Sequence, residues 1–155
     1  MNDEKGNNLN TVKDAYQAYK DRNIKGLLEC LTDDVQWFEV GPPDLIPTAG
    51  TRKGREQVGE FFAVLEAIED VQSFKPQRFV TQGDTVVVLG ELKSRVRSTG
   101  NMINSPWIHV FTIKDGKISE FRSFYDSAAV VDAYANARSR SARAGTAVNP
   151  RTAVF

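Results

Sequence analysis

The chain holds one histidine, His109, and its neighbours give it a chemical setting. Trp107, His109 and Phe111 alternate, and alternation puts every second side chain of a strand on one face. An imidazole among aromatic rings can polarise an oxygen or carry a proton. A hydrogen-bonded core histidine is the plainer reading of the same spacing. Upstream, Glu39 shares strand parity with Trp37. A carboxylate on an apolar wall is costly to charge, so its pKa rises toward the range of a useful base. The alternative places Glu39 at the strand end, making a structural hydrogen bond. Phe121, Ser123 and Tyr125 share a further strand face. Tyr125 either donates to a ligand oxygen or closes the wall on an internal partner. One histidine, one cysteine and scattered carboxylates give no metal-ligand cluster, and this chemistry needs no cofactor.

These residues need elements to position them. Trp107–Asp126 reads as a hairpin turning at Asp115-Gly116, a pair suited to two consecutive positive φ angles. Leu9, Val12, Ala15, Tyr16 and Tyr19 recur at helical spacing, with Asn8 or Asn10 as the expected N-cap. Asn23 caps a second helix that turns Ile24, Leu27, Leu28 and Leu31 inward. Asp33-Asp34 breaks that pattern before a strand carrying Val35, Trp37 and Glu39. Gly41 to Gly54, with three prolines, is a loop, either a pocket rim or a connector. A third helix from Arg55 bears Val58, Phe61, Phe62, Leu65 and Ile68 on one stripe. Strands follow: one bent or at an edge around Pro76, a long one over Thr85–Arg97, then the hairpin. Asp126 caps a short last helix. Helices first and consecutive strands after predict α+β architecture with an antiparallel sheet, one apolar face covered by helices.

The chain has 155 residues, enough for one core. Its 20 basic and 20 acidic residues cancel, so there is no global field to attract nucleic acid. No stretch approaches the roughly 20 apolar residues of a membrane span. The polar start lacks a signal peptide's apolar run, and the lone Cys30 suits a reducing compartment, so a cytoplasmic protein is expected. We expect one domain over residues 1–137 and a basic arm or tail over 138–155, poor in apolar pattern.

Three stretches carry a family resemblance: VKDAYQAYKDRNIKGLLECLTDDVQWFEVGP, PTAGTRKGREQVGEFF and WIHVFTIKDGKISEFRSFYDSAAV. In order and spacing they resemble the SnoaL-like branch of the NTF2-like superfamily, which includes ketosteroid isomerases, polyketide cyclases and limonene epoxide hydrolases. The resemblance implies a cone, with a curved mixed or antiparallel sheet wrapped around the N-terminal helices and an apolar pocket inside. It puts Glu39 where the steroid isomerases have their general-base aspartate, and His109 where they have a protonated aspartic acid. The place of their oxyanion-hole tyrosine falls at Ala15, with Tyr16 next to it, a departure from that pattern. A histidine at the second position is closer to the polyketide-cyclase branch.

The site expected from both lines of reasoning has Glu39 and His109 as its polar groups. Tyr16, Trp37, Phe61, Phe62, Trp107, Phe111, Phe121, Ser123 and Tyr125 form its wall. The expected ligand is a small hydrophobic molecule. The chemistry is proton transfer without a cofactor, as in an isomerase, cyclase or hydrolase. The alternatives are a non-catalytic ligand-binding protein and a dimeric interaction module. A homodimer is expected through the outward sheet face, at Val110, Arg122 and Phe124.

Overall fold

The helical spacing from Leu9 to Tyr19 produces α1, Asn2–Lys20, in the computed structural model, which describes residues 2–135. The basic arm expected over 138–155 lies outside the described residues. The helix begins well before the expected cap, because neither asparagine ends it. Asn8 is buried, and its side-chain amide donates to the Gly83 carbonyl at 3.5 Å. Thr11 donates to the Gly116 carbonyl at 3.0 Å, so α1 is tied to two strand turns. Arg22 takes a positive φ of 58° to reverse the chain. Asn23 then caps α2, Ile24–Glu29, by accepting from the Gly26 N–H at 3.0 Å.

Next comes β1, Leu31–Glu39. Asp33 and Asp34 lie inside this strand instead of breaking before it. Both point to solvent at an irregularity in its pairing, which skips from Leu31 to Gln36. Arg55 fastens the spot, donating to the Leu31 carbonyl at 2.6 Å and pairing with Asp33 at 3.2 Å. The predicted loop ends early, since Gly50–Lys53 forms β2 against β1. Then α3, Gly54–Ile68, buries Val58, Phe61 and Phe62. The remaining strands are β3 (Glu69–Gln82), β4 (Thr85–Val96), β5 (Met102–Lys114) and β6 (Lys117–Tyr125). Asp115 and Gly116, between the last two, take φ of 50° and 77°, as a two-residue hairpin turn requires. Asp126 accepts from the Ala129 N–H and caps α4, Ser127–Tyr134.

The six strands form one open, curved sheet in the order β2-β1-β6-β5-β4-β3. Pro76 sits on the edge strand, with the pairing slipping beside it. The sheet is mixed. The β1–β6 pairing is parallel, a long-range neighbour relation that reasoning from consecutive strands did not supply. Helices α1 and α3 cover the concave face, and the main core lies between Val12, Ala15, Val58, Phe61 and Phe62 and the sheet's Val35, Trp37, Val86, Val88, Phe111 and Phe121. A second cluster joins Ile46 and Ala49, from the loop after β1, to Val96, Ile103, Val130 and Ala133. Gly90 stands opposite Trp107 across β4 and β5. A Cβ there would lie 2.2 Å from the Trp107 ring and 2.5 Å from the Lys75 carbonyl. The bare position lets Trp107 stack flat on Phe74, 4.7 Å between centroids and 5° between planes.

Candidate functional site

Strand register builds the site. Glu39 on β1 pairs with Ser123 on β6, and Ser123 pairs with His109 on β5. The three therefore stand in one row across three adjacent strands, all buried on the concave face. With strands about 4.8 Å apart, the outer two backbones are separated by ~10 Å. One step along the strands lies the row Trp37, Phe121 and Phe111; one step the other way, Tyr125 pairs with Trp107. A polar row thus runs between aromatic rows. It faces a cavity of about 140 Å³, lined by every side chain expected in the site. From α1 comes Tyr16, and from α3 come Phe61 and Phe62.

Ring packing fixes the wall. Trp37 stacks on Phe121 at 3.8 Å, and Trp107 on His109 at 4.0 Å. Tyr16 lies parallel to His109, and its hydroxyl is 2.8 Å from Nδ1. Tyr16, next to Ala15, thus engages the histidine. Tyr125 takes the internal option, donating to the Val40 carbonyl at 2.6 Å. The indole N–H groups of Trp37 and Trp107 are buried and have no partner of hydrogen-bond geometry.

Burial sets the protonation states. It pushes the Glu39 carboxyl up to about 8. The Ser123 hydroxyl, Arg52 and the Trp37 indole pull the other way, while Glu69 adds to the rise. The Trp37 N–H completes no bond of ordinary geometry. Burial also lowers His109 to about 3, so the imidazole is neutral across the physiological range. The Tyr16 phenol is raised by burial and keeps its proton. Away from the row, burial raises the Cys30 thiol, in keeping with an inert, half-buried side chain.

The sequence reading missed a second carboxylate. Glu69, at the junction of α3 and β3, is buried and lines the same cavity. Ser94 donates to one of its oxygens at 2.8 Å, and the Tyr134 hydroxyl bonds the other. Nothing in the local pattern announces it, because its partners come from β4 and α4. Thr48 and Val130 also reach the wall, from the loop after β1 and from α4. Among the described residues, no group of three or more His, Cys, Asp or Glu side chains is placed to hold a metal. No helix among them is long and apolar enough to cross a membrane.

Residues 12–121 match the family model for the SnoaL-like domain. The chain belongs to the SnoaL-like domain family. Its NTF2-like fold recurs in solved structures. An NTF2-like protein from Burkholderia xenovorans LB400 is 28% identical, with a TM-score of 0.78 over 84% of this chain and 98% of that one. TerC, crystallised with polyporic acid, is 26% identical, with a TM-score of 0.74 over 83% of this chain and 98% of its own. A protein described as a SnoaL-like polyketide cyclase, from Jannaschia sp. CCS1, shares the fold at 24% identity and a TM-score of 0.69, over 84% and 92% of the two chains. No curated protein matches the chain.

Proposed function

We propose that this SnoaL-like protein binds a small, mainly apolar molecule and moves a proton on it without a cofactor. The row of Glu39, Ser123 and His109 facing one cavity carries this reading. As a carboxylate, Glu39 takes a proton from a carbon beside a carbonyl, and the electron pair moves onto the oxygen. When Tyr16 donates to Nδ1, the imidazole proton sits on Nε2 and is available to that oxygen. Returning the proton to a different carbon completes an isomerisation. Because the Glu39 carboxyl ionises near about 8, the rate rises with pH through that value. The test is deuterium uptake from heavy water by cyclohexanone and 2-cyclohexenone, read by mass spectrometry at pH 9. Uptake no faster with the natural chain than with Glu39→Gln defeats the proton-transfer reading.

A second reading, a non-catalytic carrier, is favoured by one observation. Near pH 7 the carboxyl is mostly protonated and the imidazole neutral, so the cavity suits an uncharged guest at rest. Native mass spectrometry of the purified protein would reveal a retained molecule. For the quaternary state we infer a homodimer through the convex face. There Phe38, Arg122 and Val110 are register partners, Ile108 is 42% exposed, and the Arg122 guanidinium lies over Phe38 and Phe124. Sedimentation as a stable monomer at micromolar concentration would remove that inference.

A further inference from the structure

The cavity's size, its polar row and its charge together restrict what can enter. We propose that its ligand is an uncharged molecule built on one six-membered ring with oxygen functions at opposite, 1,4-related positions. The proposal rests on the reading of the cavity as a small-molecule site and makes that reading specific.

Size comes first. A cavity of about 140 Å³ is close to the roughly 150 Å³ apolar cavity that takes up benzene. One ring with small substituents matches a space of that size.

Shape comes second. The two long polar side chains of the row, Glu39 and His109, stand at its ends, on backbones ~10 Å apart. Between them stands Ser123, whose short side chain leaves the middle of the row open. Aromatic side chains flank the row on both sides. A flat ring lying along it meets aromatic surface at its apolar edges and hydrogen-bonding groups at its two ends.

Charge comes third. The wall contains two carboxyl groups, Glu39 and Glu69, and no lysine or arginine among its described residues. Arg52 is engaged elsewhere, donating to the carbonyls of Thr48 and Pro47 at 2.6 and 3.3 Å. His109 is neutral. An anionic ligand would be desolvated beside two carboxyl groups with no cation in the wall itself, so carboxylated rings are rejected.

Isomers of one formula test this most cleanly. Hydroquinone, resorcinol and catechol differ only in the spacing of two hydroxyls. Their affinities for the full chain can be measured anaerobically by calorimetry, beside phenol, 4-hydroxybenzoate and 2-naphthol. We expect hydroquinone to bind about tenfold tighter than either isomer or phenol, and the other two to bind more weakly still. Glu39→Leu or His109→Phe, with folding checked by circular dichroism, should each shrink the preference for hydroquinone to less than about threefold. Equal affinity for the three isomers, or tight binding of 4-hydroxybenzoate or 2-naphthol, overturns the 1,4-oxygen proposal while leaving a small-molecule cavity standing. Failure of every probe, phenol included, overturns both.

Discussion

Two carboxylates face the same cavity, and they are dressed differently. Glu39 is 8% exposed and Glu69 is 7%, so burial does not separate them. Partners do. Glu69 has a hydroxyl on each oxygen, from Ser94 and Tyr134, and so ties β3 to β4 and α4. Glu39 sits at the end of a polar row, where burial outweighs the groups that pull on it. A satisfied carboxylate holds a fold together. One left with spare capacity is available to a ligand, and it makes the fold less stable when charged.

The largest expected effect separates the two by function. Replacing Glu39 with Gln keeps the shape and should lower turnover by about 10²–10⁴, with ligand affinity largely kept, as steady-state kinetics would show. An equal loss of turnover in Glu69→Gln would erase the distinction.

The second effect is a pH dependence. The folded carboxyl at about 8 lies above its ordinary 4.5, so the stability it contributes is complete below pH 4.5 and is lost as pH rises through 8. Denaturant titrations of the natural chain should therefore fall behind Glu39→Gln over that window, by on the order of 5 kcal/mol. A constant gap from pH 4 to 9 would mean that burial does not raise the Glu39 carboxyl.

Third, Glu69→Ala should cost about 1–3 kcal/mol in the same assay, because the Ser94 and Tyr134 hydroxyls lose their acceptor. The smallest effect belongs to Tyr16→Phe. Losing one hydrogen bond to His109 Nδ1 should cost about 1 kcal/mol. It should also release the imidazole tautomer, visible in its ¹⁵N shifts. An unchanged tautomer would mean that Tyr16 does not set it.

Glu39 was legible in the sequence and Glu69 was not, and the reason is physical. Alternation from Trp37 to Glu39 names the face a side chain takes, and the aromatic company names that face as inward. A one-residue register shift between Thr112 and Ile113, and not the Asp115-Gly116 turn, sets His109 beside Ser123, because the turn's own register would bring Arg122 there; the turn itself was determined locally. The parallel pairing of β1 with β6 was not, because no turn connects those strands, and yet it brings Glu39 opposite Ser123. Glu69 depends on two partners distant in sequence. The β2 strand is only four residues long and follows a proline-rich loop. The early start of α1 runs through Gly6 and the asparagines that follow it, against propensity.

The most direct test of the central claim is a carboxyl ¹³C NMR titration of the Glu39 side chain, assigned by its disappearance in Glu39→Gln. A midpoint near about 8 is expected for a carboxyl held in the cavity at the end of the polar row. A midpoint near the ordinary 4.5 would show a hydrated or fully paired group, and would contradict Glu39 as the proton-handling end of the site.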